Sequence, residues 1–100
     1  MYLIVWEFRT KHGHTAEFER AYGAEGDFVK LFRQGKGYRG SDLLRDSQDP
    51  HRYLAIDRWE SAAAYEAFAK EKHSEYEALN RRLEVLRSEE RCLGRFHVVT

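Results

Sequence analysis

The stretch AIDRWESAAAYEAF, residues 55–68, joins a strand to a helix and decides how the rest of the chain is interpreted. A strand-like run ends at Trp59, and Ser61 has the side chain of a typical helix N-cap. The largest side chain type therefore stands where a strand ends and a helix begins. We expect Trp59 either to fill the core or to line a pocket between the sheet and this helix.

Four strands are predicted from residues that favour strands and from the turns that bound them. They cover residues 2–9, 38–46, 52–59 and 92–99. The second and third form a hairpin, because only the short polar loop SQDPH separates them and Pro50 cannot continue the pairing. Gly94 is expected to mark a bulge in the last strand.

Two helical regions are predicted between these strands. The first begins near Ala16 with Thr15 as its cap, and a short helical turn with Asp27 as its cap follows. The second is one long helix after Ser61, with a bend at Asn80. Its apolar stripe has the three-and-four spacing of an amphipathic helix and consists of Tyr65, Phe68, Tyr76, Leu79, Leu83 and Leu86.

The order strand, helix, strand, strand, helix, strand is that of a ferredoxin-like α+β fold, βαββαβ. Right-handed crossovers place both helices on one face of a four-stranded antiparallel sheet. The other face is left bare and carries Leu3, Val5, Leu54 and Ile56. Because an apolar face of this size is expected to be covered, we predict a homodimer with the two sheets packed face to face.

Length and composition limit the classes of protein that this chain can belong to. One hundred residues make a single domain, 1–100, and the lone cysteine, Cys92, excludes an internal disulfide and fits a reducing compartment. No apolar run approaches the roughly 20 residues of a membrane span. The 17 basic and 17 acidic residues leave no basic excess for nucleic acid. We expect a soluble, cytoplasmic protein with neither a membrane nor a nucleic-acid partner.

Several segments together resemble the antibiotic biosynthesis monooxygenase family. They are DRWES at the strand-to-helix junction, the following AYEAFAKEKHSEY, the opening LIVWEF and the segment GYRGSDLLRD. The family consists of small ferredoxin-like proteins that form dimeric α/β barrels, and the resemblance implies the same architecture here. The family includes cofactor-free oxygenases of quinols and polycyclic aromatic substrates, heme-degrading enzymes, and many members of unknown activity, so the resemblance leaves the activity open among these.

The heme site of the family is matched only in part. The resemblance puts Trp6 at the position of the heme degraders' asparagine and Trp59 at that of their tryptophan. Their histidine would fall at Phe68 or Ala69, neither of which is histidine, and His73 matches a second histidine that some members carry. The resemblance therefore favours chemistry without a cofactor, with heme as the weaker alternative. From the residues themselves no metal site is predicted.

The candidate site follows from this resemblance and from the predicted faces of the elements. Trp59, Trp6, Phe68 and Tyr65 are the predicted walls for a flat aromatic substrate. The two tryptophans share a face of the sheet but are expected at different ends of it. The predicted base is His73, whose imidazole can accept a proton, or Asp57.

Asp57 is the unusual residue of its strand, because a carboxylate in a central strand must be solvated, paired or raised in pKa. Pairing with a neighbouring arginine such as Arg45 and a role as the base both remain open. The leading hypothesis is a small monooxygenase that binds a flat aromatic or quinol-like molecule between sheet and helix. The rival is a non-catalytic dimeric ligand-binding module, and an open cavity beside Trp59 would favour the first.

Overall fold

The alternating side chains of the strands build one four-stranded antiparallel sheet in the computed structural model, which describes all residues 1–100. The strands are β1 (Tyr2–Thr10), β2 (Tyr38–Arg45), β3 (Arg52–Trp59) and β4 (Arg87–His97). Their order across the sheet is β2-β3-β1-β4, so that β1 and β3 are central. The ferredoxin-like α+β prediction is confirmed.

Four helices and one short 3₁₀ turn connect and cover the sheet. They are α1 (Thr15–Tyr22), α2 (Asp27–Phe32), α3 (Ala62–Glu71), α4 (His73–Leu83) and the 3₁₀ turn Glu84–Leu86. The helices bury the inner face of the sheet, where Ile4, Tyr53 and Trp59 are almost fully enclosed together with Phe18 of α1. None of the helices is both long enough and apolar enough to cross a lipid bilayer.

The predicted caps are correct for one helix and wrong for two. Ser61 caps α3, because its Oγ accepts a hydrogen bond of 3.1 Å from the backbone N–H of Ala64. Thr15 is instead the first residue of α1, and Asp27 is the first residue of α2, whose N-cap is Gly26. A Cβ on Gly26 would lie 2.2 Å from the carbonyl oxygen of Ala21, so this close approach requires glycine at the cap.

The prediction of a single long helix after Ser61 is wrong, because the helix breaks at Lys72 into α3 and α4. Lys72 has φ −105° and ψ 22°, and Asn80, the predicted bend, lies within α4. The break redirects the chain from the end of β3, which α3 covers through Phe68, towards α2. There Arg82 of α4 forms an ion pair of 3.2 Å with Asp27.

Strand β4 begins at Arg87, five residues before the predicted start, because its charged first half pairs with β1. Arg91 donates a hydrogen bond of 2.7 Å to Glu7 across the two strands. The bulge predicted at Gly94 is present one residue away. Val5 pairs with Gly94 and Trp6 pairs with Cys92, which leaves Leu93 as the extra residue.

The outer face of the sheet carries no helix. Leu3, Val5, Leu54 and Ile56 are half-buried there, and the neighbouring Leu44 and Phe96 are exposed. Charged residues on this face pair with each other, as in the 2.5 Å contact of Arg58 with Asp42 and the 2.7 Å contact of Arg52 with Glu7. The outer face therefore presents an apolar surface surrounded by charged side chains that are already paired with each other.

Candidate functional site

A wide cleft of about 200 Å³ lies between the inner face of the sheet and helices α3 and α4. Its apolar lining consists of Ile4, Trp6, Phe32, Tyr65, Phe68, Ala69 and Tyr76. Its polar lining consists of Asp57 from the sheet and of His73 and Glu77 from α4. The side chains predicted as walls and as bases thus meet here, with Trp59 as the exception.

A narrow crevice of about 30 Å³ adjoins the wide cleft on the side of α2. The two cavities share Trp6, Phe32, Asp57 and Tyr76. The remaining lining of the crevice is Phe8, Tyr22, Phe28, Val29, Ala55, Asn80 and Glu90. Phenylalanine, tyrosine and tryptophan rings thus make up about half of each lining, and Asp57 lines both cavities.

Asp57 is the buried carboxyl group of the site. On β3 it lies between Ser41 of β2 and Ile4 of β1, and it is only 7% exposed. Burial raises the pKa of Asp57 to about 6, although the Ser41 hydrogen bond and the charge of Arg58 oppose this. The predicted pairing with Arg45 does not form, because Arg45 is directed to Glu19 at 3.4 Å.

A short chain of hydroxyl groups holds one oxygen of Asp57. The hydroxyl of Ser41 donates a hydrogen bond of 2.6 Å to Oδ1 of Asp57, and Oγ of Ser41 lies 2.6 Å from the hydroxyl of Tyr38. Because Ser41 has a single hydroxyl hydrogen, Tyr38 must be the donor to Ser41. Oδ2 of Asp57 has no partner within the chain, so it is the oxygen available to a ligand.

His73 lies at the rim of the wide cleft, as the first residue of α4. Its side chain is 70% exposed, and its Nε2 lies 3.8 Å from Glu77 one helical turn away. The two predicted bases therefore share one cleft but differ in environment. Asp57 is at the buried floor, and His73 is in contact with solvent.

Trp59 lies behind the wall of the cleft rather than in it. Its side chain is completely buried, and the rings of Phe68 and Tyr65 lie 4.9 and 5.5 Å from it, between centroids. The buried indole N–H has no hydrogen-bond partner within the chain. Trp59 supports the side chains of the wall and lines neither cavity.

Trp6 faces both cavities and is well separated from Trp59. Trp6 pairs with Ala55 and Tyr2 pairs with Trp59, so the two indoles are four residues apart along neighbouring strands. At about 3.3 Å per residue this separation is roughly 13 Å, which agrees with the expected positions at different ends of the sheet.

The charges around the cavities are acidic or neutral. The two linings contain the carboxyl groups of Asp57, Glu77 and Glu90 and no lysine or arginine. Glu90 is in an ion pair with Arg87, which lies outside both linings. A flat, uncharged molecule with a hydrogen-bond donor suits these walls better than an anion does.

Comparisons with known proteins agree with this architecture. The model of the family described as antibiotic biosynthesis monooxygenase matches residues 1–76. No curated protein matches the chain by sequence.

Three solved structures illustrate the likeness. A putative antibiotic biosynthesis monooxygenase from Nitrosomonas europaea is 17% identical with a TM-score of 0.74, and all of both chains is covered. SnoaB, a cofactor-independent oxygenase from Streptomyces nogalater, is 22% identical with a TM-score of 0.73 over 99% of this chain and 93% of its own. A variant of MhuD with two manganese protoporphyrin IX molecules bound per active site is 22% identical with a TM-score of 0.77, over 100% of this chain and 96% of its own. At these identities, the likeness shows the shared fold alone.

Proposed function

Because the chain belongs to the antibiotic biosynthesis monooxygenase family, we propose that it is a small monooxygenase that oxidises a flat, hydroxyl-bearing aromatic molecule in the wide cleft. The observation that carries this proposal is a buried carboxyl group with a free oxygen at the floor of an aromatic-walled cleft. A group in such surroundings, with a pKa near the working pH, is typical of a general base.

Asp57 is the proposed base. Above pH 6 its carboxylate accepts the hydroxyl proton of a bound phenol through Oδ2, while Ser41 fixes Oδ1. The resulting phenolate is electron-rich and donates an electron to O₂. In the overall reaction the phenol loses its hydroxyl hydrogen and one ring hydrogen and gains one oxygen atom from O₂. It leaves as a quinone, and the second oxygen atom leaves as water.

The walls orient the ring and exclude water. Trp6, Tyr65 and Phe68 are the proposed substrate contacts, and Trp59 acts as their support from behind. An apolar enclosure raises the strength of the hydrogen bond to Asp57 and protects the radical pair formed with O₂. His73 at the rim is the alternative base, and the experiment below separates the two.

A heme is a poor fit to these residues. Phe68 or Ala69 stands where the family's heme degraders have a histidine, and the one imidazole on the cleft, His73, is at the rim beside Glu77. No lysine or arginine lines either cavity to pair with the propionates of a porphyrin. We therefore propose a reaction without a cofactor.

The active form is proposed to be a homodimer through the outer face of the sheet. Leu54, Ile56 and Phe96 would be covered there, and the paired charges around them would need no new partner. Sedimentation of the protein at micromolar concentration tests this. A species of twice the 11.9 kDa chain supports the dimer, and a monomer contradicts it.

The test of the function uses a panel of naphthols, with binding followed by tryptophan fluorescence and turnover followed by uptake of ¹⁸O₂. We expect ¹⁸O in the quinone product, and a loss of roughly 10²–10⁴-fold in rate for Asp57→Asn, the range for a lost general base. His73→Ala is expected to keep the rate within a few fold. Full turnover by Asp57→Asn together with loss in His73→Ala would transfer the role to His73.

The rival function, a binding module without catalysis, predicts a different outcome. Wild-type protein would then bind naphthols in the cleft without any uptake of ¹⁸O above the rate without protein. If no member of the panel binds, neither the oxygenase nor the ligand-binding proposal holds for this class of molecule.

A further inference from the structure

Tyr76 borders both cavities of the site. It is one of the four residues that line both the wide cleft and the narrow crevice, and of these only Tyr76 belongs to α4. The wide cleft alone, at about 200 Å³, is smaller than the roughly 300–1,000 Å³ typical of sites for drug-sized ligands. A ligand that occupied both cavities would lie against this ring.

The ring of Tyr76 is held in place from α2. Its centroid lies 5.7 Å from that of Phe28 and 6.4 Å from that of Phe32, to which it is nearly parallel. The ion pair between Arg82 and Asp27 fastens α4 to α2 on the same side. The hydroxyl of Tyr76 makes no hydrogen bond within the chain, so the aromatic ring, and not the hydroxyl, fixes the position of the side chain.

We infer that Tyr76 is a specificity-determining residue, a partition that confines the substrate to the wide cleft and excludes aromatic molecules of more than two or three fused rings. This inference rests on the proposed function, since it concerns the same site. The narrow crevice beyond the partition has space for little more than water, and its far end is polar through Asn80 and Glu90. Removal of the ring would join the crevice to the cleft and admit a longer ring system.

Two methyl-bearing residues report on the two cavities separately. Ala69 lines only the wide cleft, and Val29 lines only the narrow crevice. Methyl-resolved NMR spectra of these two residues, recorded during titrations with 2-naphthol and 1-hydroxypyrene, therefore show which cavity a bound ring occupies. Both probes are uncharged phenols, and they differ in the number of fused rings.

For the wild-type protein we expect 2-naphthol to shift the Ala69 signal and leave Val29 unchanged, with 1-hydroxypyrene bound at least tenfold more weakly. Tyr76→Ala should bind 1-hydroxypyrene at least tenfold more tightly than wild type and should shift both signals. Tyr76→Phe keeps the ring and should behave as wild type. Tyr76→Leu, which keeps more of the packing against α2, gives the same comparison if the alanine variant does not fold.

Tyr65→Ala is the matched control, because Tyr65 lines the wide cleft alone. It removes the same volume and should leave Val29 silent with either probe. The inference is overturned if 1-hydroxypyrene binds wild type as well as 2-naphthol does, or if Tyr76→Ala and Tyr76→Leu gain nothing. A different result, Ala69 unmoved by 2-naphthol in wild type, would refute the proposed site and the partition with it.

Discussion

Replacing Asp57 by asparagine is predicted to stabilise the protein at neutral and alkaline pH. The folded protein raises the pKa of Asp57 from its usual value of 3.8 to about 6, because the carboxyl group is buried. The folded state therefore binds the proton more tightly than the unfolded state does. Stability falls as pH rises from about 4 to about 6, and the full cost is present above pH 6.

The size of the effect follows from the change in pKa. A rise of about 2 pH units at about 1.36 kcal/mol per unit gives a cost of about 3 kcal/mol for the ionised carboxylate at pH 8. At pH 4.5 the same two pKa values leave a cost of only about 1 kcal/mol. Asparagine carries no charge and can still accept the hydrogen bond from Ser41, so it removes this cost and preserves the contact.

Urea unfolding of wild type and Asp57→Asn at pH 8 and pH 4.5 measures this difference. Protein concentration must be equal in all samples, because the stability of a dimer depends on it. The variant should be more stable by about 3 kcal/mol at pH 8, and the gain should shrink by about 2 kcal/mol at pH 4.5. Such a gain on loss of the proposed catalytic carboxylate would be the usual trade between stability and activity.

The exposed Glu66 of α3 provides a control of equal charge change. Glu66→Gln should alter stability by less than about 0.5 kcal/mol at both pH values. The reasoning is refuted if Asp57→Asn is less stable than wild type at pH 8, or if its gain is the same at both pH values. Either result would mean that the carboxylate is paired or solvated in the folded protein.

Three further predictions concern the neighbours of the site. Ser41→Ala should raise the pKa of Asp57 further, because the carboxylate loses a donor; a ¹³C NMR titration of the carboxyl carbon that finds no change would contradict this. Gly35→Ala should cost roughly 1–3 kcal/mol in urea unfolding, since the new Cβ would lie 2.8 Å from Cζ3 of Trp59; unchanged stability would show that the indole has room to move. Ile56→Asp should convert the proposed dimer into an 11.9 kDa monomer in sedimentation, and a dimer that persists in this variant would place the contact elsewhere.

The fold was predictable from the sequence where periodicity and local turn chemistry control it. The junction at Trp59, the cap at Ser61 and the hairpin of β2 and β3 all depend on residues close together in the chain. The start of β4 was not predictable in the same way. The charged residues at the start of β4 are typical of a solvent-exposed loop. They form a strand because they pair with β1, where Arg91 donates a hydrogen bond to Glu7.

The floor of the site was only partly predictable. Asp57 stands out as a carboxylate in a central strand, but the partner that holds it was missed. The predicted hairpin bounds place residue 46 opposite residue 52, next to the loop. Five residues further from the loop on each strand, Ser41 lies opposite Asp57, as it does in the structure. The register of the hairpin therefore points to Ser41, and not to an arginine, as the neighbour of Asp57 on β2.

The break of the long helix and the position of Trp59 depend on how side chains fill space, which a periodic pattern does not record. The helical spacing of the stripe that contains Phe68 and Tyr76 continues across Lys72, although the helix itself is broken there. The sequence leaves Trp59 open between the core and a pocket wall, and the family resemblance favours the wall. The rings around it, Phe68 among them, come from elements far apart in the chain and enclose it fully.

The most direct test of the central claim is a crystal structure of the protein soaked under anaerobic conditions with 2-naphthol. The account predicts that the ring lies in the wide cleft between Trp6 and Tyr65, with its hydroxyl oxygen within about 3.2 Å of Oδ2 of Asp57. A ring bound outside this cleft, or bound within it with the hydroxyl directed to His73 and away from Asp57, would contradict it.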